Sequence, residues 1–99
     1  MIRQVRLRPR AIGDLDAIWS YGVARWGAAQ AAGYLTGLDA TFRLLAEFPE
    51  MARMRREFAP PARIHPYRDH LILYREEERF IDVLRLPSGR SNWAEFLAE

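Results

Sequence analysis

The sequence predicts an α+β fold of order β-α-α-β-β-β with a final short helix, in which a helical hairpin packs on a small, mostly antiparallel sheet. Three observations predict this fold. An alternating strand pattern opens the chain, two long helical stripes follow it, and three short segments rich in β-forming residues come after them. A length of 99 residues gives room for one core, so we expect a single domain at residues 1–99.

The first strand and the first helix are predicted from their hydrophobic periods. Residues 2–8 alternate apolar and polar side chains, which is the period of a half-buried strand. Pro9 suits a first helical turn, and the apolar residues after it recur at spacings of three or four, as in an amphipathic helix. These apolar residues are Ile12, Leu15, Trp19, Val23 and Trp26. Gly27 is expected to end this helix.

A second helix is expected from Ala28 until Pro49 stops it. Its apolar stripe consists of Ala31, Leu35, Leu38, Phe42 and Leu45. Because only Gly27 separates the two helices, they should form an antiparallel hairpin. Gly33 and Gly37 would each cost the second helix about 1 kcal/mol relative to alanine, so we interpret them as places where a neighbouring backbone approaches closely.

The second half of the chain predicts a loop and then a three-stranded meander. Residues 49–61 carry prolines and mixed charges without a sustained period, which indicates a loop. The three predicted strands are residues 62–67, 69–75 and 79–86. An unbroken apolar run at residues 71–74 predicts that the middle strand is covered on both faces and is central in a four-stranded sheet. A last short helix is expected after Asn92, with Trp93, Phe96 and Leu97 as its apolar side.

The composition excludes several kinds of chemistry. All 15 basic residues are arginine, and the chain has no cysteine. It therefore cannot form a lysine Schiff base, carry a Walker A lysine, or use a thiol as nucleophile or metal ligand. No apolar run approaches the roughly 20 residues that cross a bilayer, and we expect a cytoplasmic protein without a membrane partner. A net charge of +2 is low for a nucleic-acid binder, so we expect no direct DNA binding.

No catalytic residue or metal site stands out in the sequence. His65 and His70 are five residues apart in successive strand positions, so we expect their side chains on opposite faces of the sheet, where they cannot share a metal ion. The candidate nucleophilic serines are Ser20, Ser88 and Ser91, and none of them lies in a Gly-x-Ser-x-Gly turn. The expectation from the residues is therefore no catalytic residue and no metal.

Aromatic and arginine side chains are the candidates for binding a partner, because protein interfaces favour both. Two alternatives stay open. The tryptophans of the first helix also suit the core, and the arginines of the meander suit either one positive sheet face or ordinary solvated positions. The partner-binding candidates are Trp19, Trp26, Arg63, Tyr74, Arg75, Arg85, Arg90 and Trp93.

An ordered set of motifs resembles the ParE branch of the RelE/ParE toxin superfamily over nearly the whole chain. The motifs are Ala11-x-x-Asp14-Leu15-x-x-Ile18-x-x-Tyr21, Trp26-Gly27-x-x-Gln30-Ala31-x-x-Tyr34, Leu45-Ala46-x-x-Pro49, Arg63, and His70-x-x-x-Tyr74-Arg75. The resemblance implies the same β-α-α-β-β-β fold. It also implies a plasmid- or chromosome-borne toxin that inhibits DNA gyrase by protein binding, a cognate ParD-type antitoxin that neutralises it, and no cofactor.

The RelE branch of the superfamily gives an alternative, a ribosome-dependent mRNA endoribonuclease. Its basic residues correspond to Arg63 and Arg90, and His70 takes the position of one of its arginines; together they would hold and polarise a phosphate. Phe96 falls where that branch has a late tyrosine, and phenylalanine has no proton for acid–base catalysis. The segment after Val83-Leu84 departs from the ParE pattern, so a non-toxic antitoxin-binding module is a third alternative.

Free sheet edges and the helical hairpin are the expected docking places. An uncovered edge accepts a strand from another chain, and a hairpin leaves a groove for an amphipathic helix. We expect the antitoxin to cover Trp19 and to pair its acidic side chains with strand arginines such as Arg75.

Overall fold

A layer of two helices packs on one face of a five-stranded sheet in the computed structural model, which describes the backbone of residues 2–97 and the side chains of residues 2–96. The helices are α1 (Pro9–Trp26) and α2 (Ala28–Glu47). The strands are β1 (Gln4–Leu7), β2 (Met54–Arg55), β3 (Ala62–Tyr67), β4 (His70–Glu76) and β5 (Phe80–Arg85). The predicted α+β class and the predicted order of the main elements are confirmed.

The sheet has the strand order β1-β5-β4-β3-β2. Only the β1–β5 pair is parallel, so the sheet is mostly antiparallel, as predicted. Strand β4 lies at the centre, and residues 72–74 are buried, as their apolar run indicated. The expectation of four strands is wrong, because Met54 and Arg55 pair with β3 inside the segment predicted as a loop. Two residues are too few to show a period in the sequence.

The two helices form the predicted hairpin around Gly27. Gly27 has a φ of +95°, which favours glycine, and its amide donates to the carbonyl of Val23 at 3.0 Å. The two helices approach each other closely at Gly22, where a Cβ would lie 3.1 Å from the Cβ of Ala31. Small residues at this crossing allow the helices to pack tightly.

The interpretation of the two glycines in α2 needs correction. A Cβ at Gly33 would have no atom within 4 Å, so no neighbour requires glycine there. The space beside Gly37 is filled by a side chain and not by a backbone: a Cβ would lie 3.2 Å from Cζ of Tyr67 and still closer to its hydroxyl oxygen. Gly37 therefore accommodates the tip of Tyr67.

The main core lies between the helices and the sheet. From α2 it takes Leu38, Phe42 and Leu45, and from the sheet it takes Ile72, Tyr74, Ile81 and Val83. The predicted stripe of α2 is confirmed, with Leu35 partly buried against this cluster.

The inward face of α1 differs from its predicted stripe. Ala11, Ile18 and Gly22 are buried, whereas Trp19 and Trp26 are 39% and 37% exposed. The interpretation of the tryptophans as core residues is therefore wrong. Leu15 of the predicted stripe packs against the core, whereas Ile12, Trp19 and Trp26 lie on the exposed side of the helix.

The chain after β5 ends in a 3-10 helix, Trp93–Leu97, where a short α-helix was expected. The Nδ2 of Asn92 donates to the carboxylate of Glu95 at 2.8 Å, and among the described residues no backbone amide is found donating to the Asn92 side chain. The ring of Trp93 packs edge-on against Phe58 at a centroid distance of 6.2 Å. The side chain of Leu97 lies outside the described residues. Within the described chain, neither helix is long and apolar enough to cross a membrane.

Candidate partner-binding groove

A groove of about 760 Å³ lies between α1, the turn before β4 and the segment after β5. Helix α1 lines it with Asp14, Ile18, Tyr21, Arg25 and Trp26, and the turn adds Arg68, Asp69 and His70. The remaining wall consists of residues 85–90 and Phe96. The groove therefore joins the exposed aromatic end of α1 to the C-terminal segment.

Backbone pairing holds the C-terminal wall of the groove in place. The amide of Leu71 donates to the carbonyl of Pro87 at 2.9 Å, and the amide of Gly89 donates to the carbonyl of Asp69 at 2.8 Å. The Pro87-Ser88-Gly89 stretch breaks the strand pattern of the sequence, yet it continues to pair with the start of β4. This pairing presents Arg90 at the rim of the groove.

A partly buried ion pair links the two walls. Arg85 donates from Nε and Nη2 to the two carboxylate oxygens of Asp14, at 2.9 and 3.1 Å, and the amide of Leu86 donates to the same carboxylate at 2.8 Å. The guanidinium of Arg85 also lies 4.4 Å from the ring centroid of Phe96. These contacts occupy Arg85 with the fold, so its guanidinium has little freedom to meet a partner.

A tyrosine–histidine contact joins α2 to the start of β4. Oη of Tyr34 and Nδ1 of His70 are 2.6 Å apart. Burial lowers the pKa of His70, although the charges of Asp69 and Asp14 oppose the shift, and burial raises the pKa of Tyr34. Both directions favour the uncharged groups, so a neutral hydrogen bond fixes the imidazole at the edge of the groove.

The histidines do not point to opposite faces as predicted. Tyr67 pairs with His70 and His65 pairs with Ile72, so both histidines lie on the helix-facing side of the sheet. The prediction is wrong because the two-residue turn between β3 and β4 restarts the alternation of side chains. Among the described residues, no group of three or more His, Cys, Asp or Glu side chains is placed to hold a metal ion.

The groove brings together four of the candidate site residues: Trp26, His70, Arg85 and Arg90. Trp19 is exposed on α1 but does not line the groove. Arg75 lies elsewhere and donates to the carbonyls of Pro60 and Pro61 at 3.2 and 3.3 Å. Trp93 packs beside Phe58, outside the groove lining. The structure thus divides the candidates among several surfaces.

Two of the candidates belong to the interior. Tyr74 is 0% exposed, its hydroxyl donates to the carbonyl of Pro49 at 2.7 Å, and burial raises its pKa to about 12. It has no surface to offer a partner, and we withdraw it as a contact residue. The side chain of Arg63 is 12% exposed and donates to the carbonyl of Ala52 and the carboxylate of Glu76.

The meander arginines do not form one positive sheet face. Arg63 pairs with Tyr74 and Arg75 pairs with Asp82, and adjacent residues of β4 point to opposite sides of the sheet. Arg63 faces the helical layer, whereas Arg75 faces away from it. Arg85 pairs with Leu73 beyond a shift in the register, and its guanidinium reaches Asp14 of α1. Residue type predicted the charge, but strand register decides which charges share a side.

Sequence reasoning missed several groove residues. Tyr21 is 59% exposed and meets Trp26 edge-on at 6.0 Å. No carboxylate in the described part of the chain forms a salt bridge with Arg25, Arg68 or Arg90, so the groove carries a positive excess. The spacing of Tyr21 and Arg25, four residues apart on one helix face, was the available signal. Such a groove is complementary to a protein surface that is acidic and partly apolar.

Comparison with known proteins identifies relatives along most of the chain. The family model for the ParE toxin of type II toxin-antitoxin system, parDE, matches residues 5–93. Toxin ParE1 of Caulobacter vibrioides is 35% identical over 85 residues, which cover 86% of this chain and 88% of the relative. Toxin ParE3 of the same organism is 31% identical over 94 residues, covering 95% and 93%.

A solved structure shows the same fold. It comes from the chromosomal ParDE TA system from P. aeruginosa and aligns with a TM-score of 0.74 at 19% identity. The alignment covers 88% of this chain and 96% of that chain. The two-layer arrangement described above is therefore shared with a solved protein across nearly its full length.

Proposed function

Because this chain belongs to the ParE toxin family of type II toxin-antitoxin systems, we propose that it inhibits DNA gyrase by binding and that a ParD-type antitoxin neutralises it. The family match and the relatives named Toxin ParE support a toxin, and the solved neighbour from a ParDE system supports a ParD-type partner. The proposed action requires no cofactor and no covalent chemistry by this chain, and it takes place in the cytoplasm.

The observation that carries the proposal is the groove beside α1. Its exposed aromatic side chains, Tyr21 and Trp26, stand next to arginines that have no carboxylate partner in the described chain. Protein interfaces are rich in aromatic side chains and arginine, and such residues at the centre of an interface supply much of the binding energy. The groove therefore suits a protein partner better than a small substrate.

The antitoxin is proposed to cover the exposed side of α1. Trp19 and Trp26 lie on this helix, and Arg90 stands at the end of the adjoining groove. Acidic antitoxin side chains would then meet Arg90 together with Arg25 and Arg68. Arg75 and Trp93 lie outside the groove and stay proposed contacts for a longer antitoxin segment.

The geometry disfavours the nuclease alternative. Of its three residues, His70 and Arg90 line the groove, but Arg63 does not and is bonded to Glu76. The imidazole of His70 is held by Tyr34, and Phe96 offers no proton at the groove. The three groups do not surround one space in which a phosphate could react.

A supercoiling assay tests the proposed target. Purified toxin added to gyrase and relaxed plasmid should reduce supercoiling, and addition of the cognate antitoxin should restore it. Translation of a reporter message in a cell-free system, run with the same toxin preparation, should continue at its normal rate. Cleaved messages and unaffected supercoiling would show the nuclease alternative to be right, while no effect in either assay would show a non-toxic binding module.

A further inference from the structure

A cavity lined by arginines lies where α1 begins, beside the ends of β4 and β5. It has a volume of about 390 Å³, and we call it the arginine cavity. Among the described residues, its lining contains four arginines and no acidic side chain. The arginines are Arg8, Arg10, Arg75 and Arg85, and the apolar part of the lining consists of Pro9, Leu84 and Phe96. A concave site with this charge attracts an anion.

The sheet brings two of these arginines together from distant parts of the sequence. In the order β1-β5-β4, strand β5 lies between the other two. Val83 of β5 belongs to the core, so the next residue, Leu84, points to the side of the sheet away from the helices. Arg75 of β4 pairs with Asp82 and faces the same side. Arg8 follows β1 and reaches Asp82 there, so Arg8 and Arg75 line the cavity from the two sides of β5.

Both of these arginines keep a donor that the fold does not use. Nε and Nη2 of Arg8 donate to one oxygen of Asp82, at 3.0 and 2.8 Å, and the Arg8 side chain is 54% exposed. Nε and Nη2 of Arg75 donate to the carbonyls of Pro61 and Pro60, at 3.3 and 3.2 Å. Within the described chain, no carboxylate forms a salt bridge with Arg75, and Nη1 of neither arginine has an acceptor. Two guanidinium groups can therefore donate to a ligand in the cavity.

The first turn of α1 adds to the positive potential of the arginine cavity. Pro9 and Arg10 contribute this turn to the lining. The turn contains no acidic residue, and the N-cap residue, Arg8, makes no capping hydrogen bond with its side chain. Negative charge is stabilising at this end of a helix, because the helix dipole is positive there. Arginines oppose the dipole, and a bound anion would offset both.

The arrangement of the donors favours a phosphate over a carboxylate. The oxygens of a phosphate point in tetrahedral directions and can accept from arginines on opposite walls, whereas the two oxygens of a carboxylate lie in one plane. Arginine is well matched to phosphate oxygens. The apolar wall of Leu84 and Phe96 also gives the sugar of a nucleic-acid backbone a surface to pack on. A free phosphate ion would leave that wall unused.

We propose that the arginine cavity binds a backbone phosphate of DNA, with Nη1 of Arg8 and Nη1 of Arg75 as the direct donors. This inference rests on the proposed gyrase target, because it gives the toxin a contact with the DNA that gyrase holds. One phosphate contact is weak by itself, so the free toxin should hold DNA only at low salt, in agreement with its net charge of +2. The described lining contains no histidine, tyrosine or carboxylate for acid–base catalysis, so the contact binds DNA without cleaving it.

NMR of the arginine side chains in the free toxin tests the contact directly. A short DNA duplex added at low salt should shift the Nε signals of Arg8 and Arg75. The Nε signal of Arg53, an exposed arginine outside the cavity, should stay in place. Inorganic phosphate and a polyglutamate peptide are the comparison probes. Each should need about tenfold more charge in solution than the duplex to produce the same shift.

The salt dependence of duplex binding counts the phosphates that are contacted. One neutralised phosphate gives a slope of about −0.9 when the logarithm of affinity is plotted against the logarithm of salt concentration. Arg75→Gln should weaken binding by about threefold to tenfold and bring this slope toward zero. Arg75→Lys keeps the charge and should keep most of the slope. The matched control, Arg53→Gln, removes an equal charge outside the cavity and should bind like the wild type.

Four outcomes overturn the inference, and each has a separate meaning. No shift at Arg8 and Arg75 with any probe would mean that the cavity binds no anion. Equal shifts with inorganic phosphate and with the duplex would assign the cavity to free phosphate. A stronger effect of polyglutamate would assign it to an acidic protein. Duplex affinity that is unchanged in Arg75→Gln would place DNA elsewhere on the toxin.

A supercoiling assay separates this inference from the proposed function. Arg75→Gln should need about tenfold more toxin than the wild type for the same inhibition of gyrase, and Arg53→Gln should act like the wild type. No antitoxin is present, so its proposed contact with Arg75 does not enter the result. Equal inhibition by all three proteins would overturn the phosphate contact and leave gyrase as the target. No inhibition by the wild type would overturn the gyrase target and the contact with gyrase-held DNA together.

Discussion

Arg85 and Asp14 form a two-pronged ion pair that fastens α1 to the end of β5. Nε of Arg85 lies 2.9 Å from one carboxylate oxygen and Nη2 lies 3.1 Å from the other. Both side chains are less than a fifth exposed, at 18% and 19%. The pair sits at the groove beside α1, so the fold and the shape of this surface depend on the same contact.

Replacing Asp14 should destabilise the protein. In Asp14→Asn the largely buried guanidinium of Arg85 loses the carboxylate that accepts from both its Nε and its Nη2, and we expect the free energy of unfolding in urea to fall by about 2 kcal/mol. The matched control is Asp39→Asn, which breaks the exposed Asp39–Arg43 pair of α2, where the side chains are 60% and 78% exposed. That change should stay within about 0.5 kcal/mol. Equal losses in the two variants would contradict the structural role of Arg85.

The contact between Gly37 and Tyr67 predicts an unusual response to alanine. Gly37→Ala should destabilise the fold by about 1–3 kcal/mol, although alanine favours helix, because the new methyl group meets the ring and hydroxyl of Tyr67. Tyr67 cannot withdraw freely, since its hydroxyl donates to the carbonyl of Tyr34 at 2.8 Å. Thermal unfolding of the purified variant measures the loss.

Gly33 is the matched control for this substitution, four residues earlier in the same helix. Gly33→Ala meets no atom and should raise stability by about 0.5–1 kcal/mol. In addition, Tyr67→Phe should recover part of the loss in the Gly37→Ala background by removing the nearest atom. Stabilisation by both alanines would show that Tyr67 does not occupy the space beside Gly37.

The buried environment of His70 predicts loss of stability in mild acid. Its pKa is lowered in the folded protein, so the unfolded chain binds the proton first as the pH falls below about 6.5. The contribution of the neutral imidazole is fully present above that pH and is lost progressively as the pH falls toward the folded pKa. Urea unfolding between pH 7.5 and 5 should show this decline, and His70→Gln should make it shallower.

An NMR titration of the ring protons of His70 checks the cause of this decline. The midpoint should lie below that of an unstructured histidine, because burial disfavours the imidazolium. A midpoint above the ordinary value would mean that the charges of Asp69 and Asp14 dominate, and the acid response would then have the opposite sign, while a midpoint at the ordinary value would remove the response.

A substitution at Tyr74 tests whether this residue stabilises the core or contacts the antitoxin. Tyr74→Phe removes the buried hydrogen bond to Pro49 and should lower the free energy of unfolding by about 1–2 kcal/mol. Antitoxin affinity, measured by calorimetry on the folded variant, should stay within twofold of the wild type. A large loss of affinity without a loss of stability would restore Tyr74 to the interface.

The sequence predicted the elements of this fold better than their surfaces. Hydrophobic period located both helices, and the apolar run at residues 71–74 located the central strand. The inward face of α1 was misjudged because Ala11 and Gly22 are too small to mark a stripe, yet they are the residues that let it pack closely. The groove was only partly predictable, because it depends on pairing between residues 87–89 and the start of β4, and a Pro-Ser-Gly stretch gives no strand signal.

The positive rim of the groove should control how fast the antitoxin binds. Arg25→Glu, Arg68→Glu and Arg90→Glu each replace an arginine that has no salt bridge in the described chain, so the fold should tolerate them. Each variant should slow association by about threefold to tenfold at low salt, with a smaller effect on dissociation, because charges at the rim of an interface act mainly through steering. Surface plasmon resonance at two salt concentrations measures both rates.

The control is Arg56→Glu, a change of equal charge at an exposed position away from the groove. It should leave association close to the wild-type rate. Should all four variants slow association alike, only net charge would matter, and the groove would lose its role as the antitoxin's point of entry.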